Sequence, residues 1–206
     1  MNRTKIDWPG LAYSWNPIVG CANGCNYCYA KRISDRFHMI PEFRVPVFFH
    51  NRLLDPYIER NPSTIFVGSM CDIFSEGVDI EWINRIIKVA DENAHHKFMF
   101  LTKKPERYKD FNWPSNCWLG TTIESITHID RAYNMLTLPN RIFVSIEPIQ
   151  GIFDEFNFAQ FDQIIIGADS SRGAQIPPLE WIKSIKNENI WYKKNLRKHY
   201  PELTNI

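Results

Sequence analysis

A short apolar run, a few polar residues and then an amphipathic stretch: this unit recurs along most of the sequence and limits the fold more than any other feature. Residues 64–68 form one such run, followed by Ser69, Met70, Cys71 and Asp72, and residues 80–90 then place their apolar side chains at helical spacing. Residues 97–102 read as the next strand, with a short helix from Pro105. Residues 117–122 read as another, with a helix over 130–136. Runs at 141–146, 163–167 and 190–192 complete the series, the last preceded by a helix over 179–185. Upstream, residues 18–20 read as the strand that leads into the first loop, and 28–37 as the helix that leaves it. Residues 38–62 hold four prolines and read as an irregular connection.

Alternating short strands and helices argue for βα units about a parallel sheet. Six or seven strands in 206 residues fall short of the eight of a complete barrel. The expected fold is therefore α/β, a partial, open TIM-type barrel of about six βα units, as a single domain over residues 1–206. A doubly wound sheet is the competitor. It is disfavoured because no glycine-rich phosphate loop follows the first strand.

The composition, 44% apolar and 23% charged, is that of a globular chain, and a net charge of +1 makes no global case for nucleic-acid binding. Aromatic residues at 14%, with seven tryptophans, point to broad contact surfaces or a well-filled core. Residues 1–7 lack the apolar region of a signal peptide, and no apolar run reaches the ~18–20 residues that cross a bilayer. Five cysteines, an odd number, without a secretory signal fit a reducing compartment where thiols bind metals rather than pair. The expected location is cytoplasmic, away from membranes.

Three of those cysteines, Cys21, Cys25 and Cys28, stand in a Cys-x3-Cys-x2-Cys spacing within eight residues. Thiolates are soft ligands for zinc or iron–sulfur clusters. Structural zinc takes four closed ligands, and Cys71 and Cys117 lie far along the chain; a zinc site would need His38, His50 or a carboxylate as its fourth. A cubane held by three thiolates keeps one iron open, which is the sharper reading.

With Tyr27 at the aromatic position before its third cysteine, this loop resembles the signature of the radical SAM superfamily. More narrowly, the chain is similar to phage- and prophage-associated three-cysteine-motif proteins of uncharacterised function. Supporting segments are 5–8, 15–17, 24–30, 69–72, 101–107, 118–120 and 145–148. The compact spacing between Cys21 and Cys25 is that of the wider superfamily; many relatives in the branch carry extra residues there. The resemblance implies a partial barrel and a [4Fe–4S] cluster on Cys21, Cys25 and Cys28. It also implies S-adenosylmethionine bound at the open iron, an external one-electron reductant, and cleavage to a 5′-deoxyadenosyl radical that abstracts hydrogen from a substrate.

Function in parallel βα architectures sits at the carboxyl ends of the strands. Polar residues recur there: Ser69 and Asp72, Thr102 and Lys103, Thr121, Thr122 and Glu124, Ser145 and Glu147, Asp169 and Ser170, Lys193 and Lys194. Each alone could be a helix cap; together they describe a polar rim. On the resemblance, Ser69 and Asp72 would meet the cofactor's ammonium group, and Glu124 or Glu147 its ribose. Tyr27 and Ser145 are further candidate contacts. Lys103 would face the cofactor carboxylate or an anionic substrate, unless it is a solvated surface residue. Cys71 reads as a hydrogen-atom donor or as a small buried turn residue. Cys117, Trp8, Trp15 and Trp118 read as packing residues, and His95 and His96 as exposed residues at a helix C-terminus. The basic tail from Tyr192 to His199 could touch phosphate, but reads more simply as a solvated helix face.

A looser resemblance of the cysteine loop to spore photoproduct lyase, with the phage context, makes nucleic-acid modification or repair the leading expectation for the substrate. A partner protein is the other. The competing class is a non-catalytic iron–sulfur or zinc protein that senses redox state or binds a partner.

Overall fold

The computed structural model describes residues 1–171 and 173–205. In chain order its elements are β1 (Asn2–Arg3), β2 (Leu11–Trp15), β3 (Ile18–Val19), α1 (Tyr29–Phe37), β4 (Val47–Phe48), α2 (Asp55–Ile58), β5 (Thr64–Val67), α3 (Ile80–Glu92), β6 (Lys97–Thr102), β7 (Cys117–Thr122), α4 (Asp130–Met135), β8 (Ile142–Ile146), β9 (Gln163–Ile166), α5 (Leu179–Ser184), β10 (Ile190–Tyr192) and α6 (Lys194–Arg197). One eight-stranded sheet runs β1-β2-β5-β6-β7-β8-β9-β10. Every pairing from β2 to β10 is parallel, and only β1 joins antiparallel. The sheet curls strongly into an open half-barrel.

Side-chain alternation sorts the strands into two faces. Ile65 and Val67, Phe98 and Phe100, Ile142, Val144 and Ile146, and Ile164 and Ile166 point to the side where Ile83, Ile86, Ala132, Met135 and Ile182 of the helices pack. Phe66, Met99, Phe143 and Ile165 point the other way and pack on Trp8. Helices on one face and strands in sequential order exclude the doubly wound alternative, which needs helices on both faces and a reversal of strand order.

Two expectations need correction. The strand at 18–20 is not the first of the barrel; that place belongs to β2, paired in parallel with β5. β3 instead pairs antiparallel with β4 in a separate two-stranded sheet, with Gly20 bridging to Cys71 beyond it. His96 is not an exposed cap. Helix α3 ends at Glu92, and His96 is 1% exposed, its Nδ1 accepting from the Ser63 amide at 3.2 Å.

Candidate functional site

The cysteine loop leaves β3 through Gly20, at φ +112°, where a Cβ would stand 2.9 Å from Pro46 Cα and 3.0 Å from the Phe43 carbonyl oxygen. Only glycine fits so close to a neighbouring backbone in that conformation. Hydrogen bonds then pin the loop along its length. The Cys21 amide donates to the Phe43 carbonyl (2.7 Å), the Ala22 amide to Ser75 Oγ (2.7 Å) and Asn23 Nδ2 to Asp72 Oδ2 (2.9 Å). The Cys28 amide turns back to the Cys25 carbonyl (3.1 Å), and Cys28 itself caps α1, its Sγ accepting from the Lys31 amide at 3.3 Å. Cys21, Cys25 and Cys28 thus reach one cavity of about 160 Å³ at the carboxyl ends of β5 and β6, together with Ser69, Cys71, Asp72, Thr102 and Lys103.

Asp72 ties this cavity to the barrel. One oxygen accepts from the Phe74 amide and from Thr102 Oγ1, at 3.0 and 2.7 Å. The other accepts from Asn23 and from the Lys103 amide, both at 2.9 Å. All its acceptor capacity goes to protein donors, so the observed role of this carboxylate is to join the cysteine loop to the ends of β5 and β6. Ser69 is likewise engaged, exchanging hydrogen bonds with the Asn16 side chain at 3.0 and 3.1 Å. Its carbonyl accepts from the Tyr29 hydroxyl (2.6 Å).

Tyr27 joins the loop to β7. Its hydroxyl donates to Glu124 and accepts from Lys103 Nζ at 2.6 Å, while Lys103 also pairs directly with Glu124. Arg131 closes the far side, donating to the other Glu124 oxygen and to the Thr122 carbonyl, each at 2.9 Å. Glu124 is buried, with Lys103 and Arg131 only 19% exposed, so this is a charged cluster largely withdrawn from water. Neither the Tyr27–Glu124 bond nor the roles of Lys103 and Arg131 in it is visible in local sequence spacing; the cluster joins residues up to 104 positions apart. Arg131 is a residue the sequence reading missed. Burial pushes the Tyr27 phenol up, against an opposing pull from Arg131.

A second cavity of about 490 Å³ adjoins the first and shares Tyr27, Tyr29, Phe66, Leu101, Lys103 and Thr122 with it. Ser145, Glu147, Asp169, Ser170, Lys193 and Lys194 line it, so most of the expected polar rim does meet at one mouth. Thr121 does not: it is fully buried and its hydroxyl donates to the Thr102 carbonyl. Glu147 pairs with Lys193, so this residue belongs to the expected rim rather than to a solvated helix face. Gly167 makes room for that pair, since a Cβ there would stand 2.8 Å from Lys193 Cδ and 3.0 Å from Glu147. Glu124 faces a third, polar cavity of about 530 Å³, shared with Cys25, His128 and Arg131.

Three thiols line one cavity, a donor type that zinc and iron–sulfur clusters both take. Among the described residues, no three His, Cys, Asp or Glu side chains gather where they could hold a metal ion. His38 and His50 line none of these cavities; His50 instead meets Arg85 at 2.8 Å. A cubane takes each thiolate on a different iron, and Cys21, Cys25 and Cys28, which line one cavity, are the residues that would hold it. Cys71 lines the same cavity from the β5 loop, and burial pushes its thiol well above the ordinary range. Cys117 is wholly buried at the opposite strand end and belongs to the core.

Fold and site together define an α/β half-barrel with a three-thiol loop at the carboxyl ends of its strands. A family model described as "Protein of unknown function (DUF5131)" matches residues 3–193, and the chain belongs to that family. No protein of curated function matches the sequence. Among solved structures, the chain is similar to spore photoproduct lyase complexed with dinucleoside spore photoproduct. That match has a TM-score of 0.55 and 15% identity, over 72% of this chain and 48% of that one. A mutant of the same lyase with bound AdoMet and dinucleoside spore photoproduct matches at a TM-score of 0.53 and 16% identity, over 71% and 48%. The chain spans about half the length of these neighbours. At such identities the likeness is one of fold alone, an open TIM-like half-barrel. No helix is long and apolar enough to cross a membrane among the described residues.

Proposed function

We propose that this chain is a radical SAM enzyme, allied to the phage-associated three-cysteine-motif proteins. Cys21, Cys25 and Cys28 hold a [4Fe–4S] cluster, and the adjoining cavity receives S-adenosylmethionine. The observation that carries the reading is the position of the three thiols, which line one cavity at the mouth of a half-barrel, beside a second, larger cavity that shares Tyr27, Tyr29 and Lys103 with it. When bound and reduced by one electron from an external donor, such a cluster cleaves S-adenosylmethionine to methionine and a 5′-deoxyadenosyl radical. The chain's own part is to hold and enclose. Asp72 and the Tyr27–Glu124–Lys103 cluster fix the cysteine loop. Phe66, Leu101 and Tyr29 form the apolar wall between the two cavities, which limits water at the reacting centre. Ser145 and Glu147 offer acceptors to a sugar, and Lys193 balances the Glu147 charge.

For the substrate we propose a nucleic acid, modified or repaired by hydrogen abstraction. Its supports are the fold shared with a lyase solved with a dinucleoside photoproduct, and the cavity of about 490 Å³ at the mouth. A partner protein is the competing substrate.

Anaerobic reconstitution with iron and sulfide, then dithionite and S-adenosylmethionine, tests the reading through the yield of 5′-deoxyadenosine. The expected result is product from the wild type and none from Cys25→Ala, which also loses bound iron. Unchanged iron in that variant removes the ligand assignment. Oligonucleotides that raise the yield support the substrate class.

One observation favours a second reading. Cys71 is a fourth thiol on the same cavity and could close a cluster into a redox-sensing centre without turnover. A well-formed cluster that gives no 5′-deoxyadenosine in the wild type, but does so in Cys71→Ala, would select it.

A further inference from the structure

The polar cavity of about 530 Å³ adjoins the other two, since Tyr27 and Lys103 line all three. Three segments build it. The cysteine loop supplies Asn26, the stretch after β7 supplies Glu124, His128 and Arg131, and the stretch after β8 supplies Gln150. The Gln150 amide hydrogen goes to the Glu124 carbonyl at 2.7 Å, which ties the last two segments together. Charge does not select a ligand here. Lys103 and Arg131 stand against Glu124 and Asp169, and Glu124 is already paired with both cations. His128 faces Glu124 through Nδ1 at 3.3 Å, but burial, then Arg131 and Lys103, hold it below its ordinary pKa, so the ring is uncharged at neutral pH. What the cavity offers is hydrogen bonding without charge. Asn26 and Gln150 are exposed along it, and neither side-chain amide is taken up by a hydrogen bond among the described residues. An amide sets a donor beside an acceptor, the pattern that reads the edge of a nucleobase. Tyr27 and His128 add two rings to the wall, surfaces on which a base can stack.

We propose that this polar cavity is a nucleobase-binding site, separate from that of the cofactor, in which Asn26 and Gln150 determine which base is held. The inference rests on the nucleic-acid reading above and deepens it. A base seated there meets Tyr27 and Lys103, which the larger cavity meets too, so base and cofactor are neighbours. The volume lies within the about 300–1,000 Å³ of small-molecule sites, enough for a single base with its sugar but not for a stacked duplex. The base comes from a single strand or from a free nucleoside, and both present the same edge.

The test is fluorescence anisotropy on the reconstituted full chain, with labelled single-stranded homopolymers of each base and the free nucleosides as competitors. The wild type should prefer one base by about tenfold or more, the discrimination expected of a bidentate amide contact. Asn26→Leu with Gln150→Leu should remove most of that preference, since phosphate contacts are the same in every homopolymer. Saturating S-adenosylmethionine should leave the wild-type affinity unchanged. Equal affinity for all four bases in the wild type overturns the proposal, and so does an unaltered preference in the double variant. Displacement by S-adenosylmethionine also overturns it, because the cofactor's own adenine would then occupy this cavity. Free nucleosides that bind with a variant-sensitive preference, while no homopolymer binds, keep the base site and overturn the nucleic-acid reading instead. No 5′-deoxyadenosine from the wild type with dithionite overturns the radical SAM reading alone, because base binding needs no turnover.

Discussion

Tyr27 shows how much one hydroxyl can organise. Its ring is fixed by position in the cysteine motif, but its oxygen ties the loop to Lys103 and Glu124, and through Glu124 to Arg131. Removing the hydroxyl leaves Lys103 and Glu124 paired, so Tyr27→Phe should lower stability by only about 1 kcal/mol. It should nevertheless free the loop, and Cys25 and Cys28 of the apoprotein should alkylate several-fold faster, read by mass spectrometry. Glu124→Ala is harsher because it leaves two poorly exposed cations unpaired, a loss of about 3 kcal/mol. Alkylation rates equal to the wild type in both would show that the cluster does not position the loop. His96 gives a prediction of another kind. Its Nδ1 accepts the Ser63 amide hydrogen and its Nε2 lies 3.2 Å from the Pro56 carbonyl, an arrangement that only the neutral ring satisfies on both sides. Burial also pushes its pKa below the ordinary 6.5. Between the lowered folded value and the ordinary unfolded one, the unfolded chain binds more protons, so stability rises with pH there. Stability is whole above pH 6.5 and is lost as the pH falls below it. Urea midpoints measured from pH 7.5 down to 5 should fall, on the order of one titrating group's worth, and His96→Asn should flatten that decline.

The strands show which elements the sequence could reveal and which it could not. β6 and β7 lie at residues 97–102 and 117–122 as read, because both faces of each strand are largely buried and each carries an apolar run, Phe98–Leu101 in β6 and Cys117–Leu119 in β7. β2 escaped because Leu11, Ala12, Tyr13 and Ser14 are only half-buried at the sheet's edge region, whereas the more apolar Ile18 and Val19 looked like the better strand. The meeting of Cys21, Cys25 and Cys28 at one cavity was legible from spacing alone, since the three are neighbours in sequence. The Tyr27, Glu124 and Arg131 cluster, and the pairing of Glu147 with Lys193, were not; they join residues that only the closed sheet brings together. Gly120 in β7 is a further case, unremarkable in sequence but decisive in packing. A Cβ there would stand 2.3 Å from Phe143 Cζ on β8, which packs edge-on against Trp8. Gly120→Ala should cost about 1–3 kcal/mol through overpacking. Shortening the neighbour should relieve it, so Gly120→Ala with Phe143→Leu should be less destabilised than the sum of the single changes. Additive losses in a thermal or urea double-mutant cycle would mean the strain is taken up elsewhere.

At the scale of the molecule, an open half-barrel leaves the inner face of its sheet uncovered, and the segment between β1 and β2 covers part of it. Trp8, 6% exposed, lies on Phe66 and Phe143 with ring centroids at 4.4 and 5.5 Å. Asp7 fastens the same segment to the far end of the sheet. Its carboxylate accepts from the Lys194 amide and faces Arg197 at 3.8 Å, and its carbonyl accepts from Trp191 Nε1 at 3.1 Å. The first and last parallel strands are thus linked across the opening, beside the larger cavity that Asp7 and Trp8 both line. Trp8→Ala should therefore cost about 3–5 kcal/mol, the range for emptying a large buried aromatic site. Trp8→Phe should cost far less than its lost area suggests. Trp8 Nε1 is a buried donor with no hydrogen-bond partner among the described residues, and a phenyl ring removes that unsatisfied group. Asp7→Ala keeps the aromatic packing but cuts the fastening. In that variant, hydrogen exchange should rise together in residues 4–10 and 190–197, and not in β6 or β7, because only the linked ends of the sheet are released. Faster exchange at 4–10 alone would mean that the segment covers the barrel without holding its ends.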